Sequence, residues 1–252
     1  ALTRLPDGEK TIVDGLALGA LPTLARKHAA RLDLVGLVHH PLCDEDARPS
    51  SDLFASEQSA LRFARRIVVT SDFTLGRLRE LDMIPPGIPV HVVEPGVNAA
   101  SVGEDWQPGS ELRLLSVGSL TPRKAHQDGL SALAKASAHA GFCWHWTIVG
   151  RGDLDPDCAA RLRGTIQTAG LGHRINLTGE ITDEELDARY LRAHVLLHTA
   201  RYEGFGMVVT EALAHGLPII TSTGGALGQT LCRHGSRATS TAESGLAGAG
   251  YP

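Results

Sequence analysis

From Glu111 onward the chain alternates short, unbroken apolar runs with longer segments whose apolar residues recur every three or four positions. The runs LRLLSVG, WHWTIVG, RINLTG, HVLLHTA and LPIITS predict five strands. The segments between them predict helices over roughly His126 to His139, from about Pro156 to Ala169, over DEELDARYLRA with acids in its first turn, and over GMVVTEALAHG, closed by Gly216. The strand runs are apolar throughout rather than alternating, as expected of strands covered on both faces. Strand–helix alternation of this kind builds β-α-β units and a parallel sheet.

The first hundred residues repeat the scheme less fully. KTIVDG, LDLVGLVHH, ARRIVVTS and IPVHVVEPG read as strands; SSDLFASEQSALRFA and SDFTLGRLRELD read as helices entered through Ser and Asp that can cap free N–H groups. The stretch NAASVGEDWQPGSE lacks periodicity and is rich in small and turn-forming residues. The division that follows is a first α/β domain over residues 1–98, a linker over 99–110, a second α/β domain over 111–232 and a loose tail over 233–252. The tail is small and polar, with too little apolar surface to offset its ordering entropy.

Composition narrows the class. The 252 residues are 42% apolar and 21% charged, which supports a sizeable core. A net charge of −4 argues against a broad nucleic-acid footprint but leaves room for a local phosphate site. Cys43, Cys143, Cys158 and Cys232 are far apart and form no C-x-x-C, and the histidines form no helical ligand pair, so no metal is expected. Isolated cysteines fit a reducing, cytoplasmic setting. No apolar run reaches the ~18 residues of a spanning helix, and no charged leader precedes an apolar segment. The chain begins at Ala1 without a methionine, which fits a processed or incomplete start.

The candidate chemistry sits in RYEGFGMVVTEALAHGLPII, residues 201–220. In an open parallel sheet, ligands bind beyond the carboxyl ends of the strands, and this loop follows the HVLLHTA strand. Gly204 and Gly206 permit close backbone approach, and the helix starting near Gly206 offers free N–H groups for a phosphate. Glu203 and Glu211 flank that helix start and suit hydroxyls on either side of a phosphate; as isolated residues they read equally well as a first-turn acid and a partly exposed helical acid.

EGFGMVVTE, continued by ALAHGLPIITSTGG, resembles the E-x7-E segment of retaining glycosyltransferases of the GT-B fold, in particular glycosyltransferase family four, the glycosyl transferases group 1. The resemblance covers most of residues 10–230. It implies two Rossmann-type parallel-sheet domains facing a cleft, both incomplete here: the early strands and glycine-rich acceptor loop of the first, and the returning terminal helix of the second, are not recognisable. It implies transfer of a sugar from a UDP-, GDP- or ADP-linked donor to a sugar, lipid or small-molecule acceptor, with retention of configuration, no metal or other cofactor, and peripheral membrane contact if the acceptor is a lipid. Glu203 would contact sugar hydroxyls, Glu211 the ribose, and the amides around Gly204, Phe205, Gly206 and Met207 the diphosphate.

In SVGSLTPRKAHQDGL the family's arginine and lysine for the leaving diphosphate fall on Ser119 and Lys124; the first is a departure, and Arg123 is an adjacent cation that need not point the same way. In LVHHPLCDED the resemblance puts His40, ahead of His39, near the reacting sugar carbon. HRINLTG resembles the base-side loop, which places Arg174 and Ile175 at the donor; VVEPGVN resembles the turn before the linker, with Asn98 replacing an aspartate; and Gly224 and Gly225 form another tight loop near the donor. GRGDLD lacks the third glycine of a dinucleotide fingerprint, so a nicotinamide cofactor is excluded. Two other readings stay open: a non-catalytic nucleotide-sugar-binding remnant, and an epimerase or phosphorylase on the same architecture.

Overall fold

The computed structural model describes residues 2–45, 51–103, 105–137 and 142–234. Nine parallel strands among them form two sheets. The first contains β1 (Lys10–Asp14), β2 (Asp33–Val38), β3 (Arg66–Val69) and β4 (Val90–Val92), side by side in chain order. The second contains β5 (Leu112–Val117), β6 (Trp144–Val149), β7 (Ile175–Gly179), β8 (Val195–His198) and β9 (Ile219–Thr221), in the order β7-β6-β5-β8-β9.

That order decides where a ligand goes. The chain winds outward from β5 to β7, then returns to pair β8 with the other edge of β5. The connections therefore leave in opposite directions between β5 and β8, and a crevice opens beyond their carboxyl ends. The loops after these two strands line it.

The helices follow the apolar periodicity. In the second half they are α5 (His126–Ala136), α6 (Pro156–Thr168), α7 (Asp183–Arg192), α8 (Met207–Ala214) and α9 (Leu227–His234). Trp144, Trp146, Leu130 and Leu162 fill the core on the α5–α6 face; Leu196, Tyr190, Val209 and Leu227 fill the other. Asp155 caps α6 through the Cys158 N–H, and Thr182 with Glu185 forms a capping box on α7. The end of the helix expected near His139 lies outside the described residues; its described part ends at Ala136.

The first half holds two helices that the sequence pattern does not announce, α1 (Gly15–Ala20) and α2 (Pro22–His28), besides α3 (Ser51–Leu61) and α4 (Asp72–Glu80). Gly15, Gly19 and Pro22 read as breakers, but each has a local use. A Cβ on Gly15 would stand 2.8 Å from the Leu37 carbonyl oxygen, so glycine lets α1 cross closely over β2. Asp14 caps α1 through the Leu16 N–H at 2.9 Å, and Pro22 occupies the first turn of α2, where its missing N–H costs nothing. Helix α9 runs through Arg233 and His234, the first two residues of the segment read as a loose tail; the remainder of that segment lies outside the described residues. No helix of the described residues is long and apolar enough to cross a membrane.

Candidate active site

The loop after β5 starts at Gly118, passes Ser119, and makes a 3-10 turn over Pro122–Lys124. Ala125 then adopts left-handed φ 51° to start α5. The loop after β8 is tied to this turn. Thr199 Oγ1 donates to the Lys124 and Ala125 carbonyls at 3.1 and 3.0 Å, and Arg201 N–H to the Arg123 carbonyl at 2.8 Å.

This lacing brings Arg123 and Lys124 to one acid, Glu203. Lys124 Nζ pairs with Glu203 Oε1, and Arg123 Nη1 lies 3.3 Å from Oε2 while also donating to the Tyr202 carbonyl at 3.1 Å. His198 Nε2 lies 3.3 Å from Oε1. Burial alone would raise the Glu203 pKa, but the His198 contact and the Lys124 and Arg123 charges outweigh it, and the carboxyl is pushed down to about 2. Arg123 and Lys124, adjacent in sequence, thus serve the same point. Ser119 stands at the head of the turn, where its carbonyl accepts the Thr121 N–H at 2.9 Å.

Beyond Glu203 the chain runs through Gly204 and buried Phe205 to Gly206, which caps α8 at φ 90° with no side-chain capping bond. A Cβ on Gly206 would stand 2.7 Å from Leu227, so this corner requires glycine on both counts. Met207, the first residue of α8, is exposed. The Gly224–Gly225 turn packs against the loop, with the Ala226 N–H donating to the Glu203 carbonyl at 2.8 Å. Glu211 lies one turn into α8, where its Oε2 accepts the Tyr190 hydroxyl at 2.7 Å.

The first half closes over this loop. Thr74 Oγ1 at the start of α4 donates to the Gly204 carbonyl at 3.2 Å, and Ser71 Oγ, the cap of α4, donates to the same oxygen. His40 and His39 divide their tasks. His40 pairs with Glu45 and sets its ring edge toward Tyr202, with centroids 5.9 Å apart. His39 turns back to Asp14, 3.0 Å away, and its carbonyl accepts from Thr70 and Thr74. Glu45 also lies 3.4 Å from Arg123 Nη2. A charge network therefore crosses the cleft from His40 through Glu45, Arg123 and Glu203 to Lys124.

Two expected residues are not brought there. Ile175 opens β7 with Arg174 just before it, and because the strands are parallel, the amino end of β7 lies at the sheet edge opposite the cleft. Ile175 is in the core and Arg174 sits over the Trp144 ring, 5.6 Å from its centroid. The carboxyl end of β7 is Gly179, which with Glu180, Arg151, Gly152, Asp153, Pro156 and Arg163 lines a hollow of about 460 Å³ at the cleft edge. Glu45, Ser71, Thr74, Tyr190 and His198 were not singled out by sequence. Only Glu45 carried a usable signal, the acidic CDED that follows His40-Pro41-Leu42. Among the described residues, no group of three or more His, Cys, Asp or Glu side chains is arranged to hold a metal ion.

Comparison with known proteins bears on this geometry. The profile of the family Glycosyl transferases group 1 matches residues 105–242. Mannosylfructose-phosphate synthase from Agrobacterium fabrum is 28% identical over 166 residues, 64% of this chain and 36% of the relative. A GDP-mannose-dependent alpha-mannosyltransferase from Mycobacterium tuberculosis is 33% identical over 139 residues, 55% of this chain and 32% of the relative. Among solved structures, sucrose-phosphate synthase from Thermosynechococcus elongatus superposes with TM-score 0.74 at 24% identity, over 88% of this chain and 58% of that one. Anabaena HepE in complex with UDP and glucose gives TM-score 0.69 at 19% identity, over 86% of this chain and 60% of that one. The chain belongs to the glycosyl transferases group 1 family, and its two parallel sheets have the GT-B fold. Its match spans about a third of the length of these curated relatives.

Proposed function

We propose that this chain forms the donor cleft of a retaining glycosyltransferase, which moves a sugar from a nucleoside diphosphate sugar to an acceptor hydroxyl. The observation that carries the reading is the convergence of Arg123 and Lys124 on Glu203, directly before the uncapped N-terminus of α8. Positive charge and free amides are thereby fixed where a departing diphosphate gains negative charge, the arrangement that lowers such a barrier. Family membership supports the donor class, and the Mycobacterium and Anabaena proteins are named with GDP-mannose and with UDP and glucose.

In this reading the α8 amides hold the inner phosphate and Lys124 with Arg123 the outer one, compensating for Ser119 in place of a cation. Glu203 leaves its cations for sugar hydroxyls, Glu211 takes the ribose, and the hollow between Arg151 and Glu180 takes the base. His40 faces the sugar from the first half, which bears the acceptor. The acceptor hydroxyl attacks the face from which the diphosphate leaves, and a leaving phosphate oxygen takes its proton. Cys43, Cys143, Cys158 and Cys232 are all free thiols, which supports a cytoplasmic site of action; a lipid acceptor would bring the protein to the membrane face.

Calorimetric titration with UDP, GDP and ADP tests the reading, followed by Glu211→Gln. One of the three binds, and the substitution weakens it by about ten- to a hundredfold, because an ionised acceptor for ribose hydroxyls becomes neutral. No binding by any of the three ends the donor-site reading.

A further inference from the structure

We infer that Tyr190 is a positioning residue for nucleotide recognition: it holds the Glu211 carboxylate in the one orientation that can receive ribose hydroxyls. The inference rests on the donor reading above and adds a residue to it from α7, outside the loops that line the crevice.

Glutamate on a helix surface is a flexible side chain, and a carboxylate that must meet a diol gains from being fixed beforehand. The structure fixes it twice. Tyr190 is 2% exposed, and its hydroxyl donates to Glu211 Oε2 at 2.7 Å. Oε1 is left without a hydrogen-bond partner among the described residues. The phenol is itself immobile: its ring stacks on His215, with centroids 4.6 Å apart and planes 19° from parallel. Both His215 ring nitrogens face acceptors, Nδ1 2.8 Å from the Glu211 carbonyl oxygen and Nε2 2.8 Å from Asp187 Oδ1, and the N–H of a neutral ring donates to one or the other. Side chain and main chain of Glu211 are thus anchored by one two-ring unit, and Asp187 ties that unit back to α7. A tyrosine needed only to fill the core would do so as phenylalanine. Its hydroxyl is explained by the carboxylate it meets.

The test is a ratio. UDP, GDP and ADP are each titrated beside their 2′,3′-dideoxy forms, into the parent chain and into Tyr190→Phe. For the nucleotide that binds, the parent prefers the ribose form by about tenfold or more, the span of hydrogen bonds to an ionised group. Tyr190→Phe brings the ribose form down to within about twofold of the dideoxy form and leaves the dideoxy affinity unchanged, since that ligand offers Glu211 nothing. A variant that keeps the parent ratio, or one that weakens both forms equally, overturns the inference. A parent that binds both forms equally removes the ribose role of Glu211 and the inference with it, whereas a parent that binds neither overturns the donor reading itself. Should Tyr190→Phe fail to fold, Asp187→Ala on a largely exposed side chain gives the answer: the ratio falls by about twofold when the ring pair loses its acceptor, and an unchanged ratio counts against the inference.

Discussion

The carbonyl oxygen of His39 and the α-carbon of Gly204 approach so closely that a Cβ on Gly204 would lie 2.0 Å from that oxygen. One belongs to the first half and the other to the loop between β8 and α8, so glycine sets the distance at which the halves meet. Both atoms in the clash are held in place, the oxygen by Thr70 and Thr74, the loop by Ser71 and Thr74. Gly204→Ala is therefore expected to cost about 1–3 kcal/mol, the range for overpacking a fitted contact, or to push the halves apart. Denaturant titration measures the first and small-angle scattering the second. A variant as stable and as compact as the parent would show that this contact does not form in solution.

Arg123 lies between two acids, Glu45 at 3.4 Å and Glu203 at 3.3 Å, while Lys124 pairs, among the described residues, with Glu203 alone. Lys124→Ala is expected to weaken a nucleoside diphosphate more than the matching monophosphate, because the outer phosphate loses its cation. Glu45→Gln should act in the opposite direction. It removes an acid that competes for Arg123, and because Glu45 is partly exposed, the gain is about 0.2–1 kcal/mol, up to about fivefold in affinity. Isothermal titration of both variants with the diphosphate and the monophosphate reads both effects. Weaker diphosphate binding by Glu45→Gln would mean that this acid helps hold the ligand.

Glu57 is buried beneath the turn that carries His40, and its Oε2 accepts the Leu42 N–H at 2.7 Å. Burial pushes its carboxyl up from 4.5 to about 7, against the pull of the Leu42 bond. Between those two values the unfolded chain has released its proton and the folded chain keeps it. Rising pH therefore draws the equilibrium toward unfolding across that window, and the contribution levels off above it. Glu57→Gln keeps an acceptor for Leu42 and has no charge to bury. It should flatten this decline and be more stable at pH 8 by about 1–3 kcal/mol. Unfolding curves from pH 4.5 to 8 decide it; parallel pH profiles for variant and parent would contradict it.

Ala125 stands at φ 51°, ψ 36°, where an L side chain is crowded. Releasing that strain outweighs the extra freedom glycine gives the unfolded chain. Ala125→Gly should stabilise by about 0.5–1 kcal/mol in urea titration, and a loss would show that the left-handed turn is not strained.

What the sequence could and could not show follows from the range of the contacts. The central strands β5, β6 and β8 were legible because they bury residues on both faces and so read as unbroken apolar runs, whereas the edge strands β7 and β9 leave Asn176 and Ile220 exposed. The positions of Glu203 before α8 and of Glu211 within it were legible because their spacing is local to one loop and helix; the hydroxyl-binding roles given to them belong to the proposal. Helices α1 and α2 were hidden by Gly15, Gly19 and Pro22: the fit of the two glycines depends on Leu37, Leu42 and Glu57, and Pro22 opens α2 in its first turn. The Ser71–Gly204 bond joins residues 133 apart, and no local pattern encodes it. Arg174 and Ile175 differ for another reason: HRINLTG reads as a strand and forms one, but which end of it faces the cleft depends on the parallel sheet order, which no local pattern encodes.

The cations of the cleft are not waiting in water. Each already has a carboxylate partner, so on the proposed reading a diphosphate would exchange one set of anions for another and release few mobile counterions. Affinity should then vary little with salt, unlike binding in an open basic groove. Exchange also selects. A displaced Glu203 must find new donors, and sugar hydroxyls supply them where bare phosphates do not. On the proposed donor reading, the same ion pairs therefore favour ligands that bring hydroxyls to Glu203 over bare inorganic phosphate.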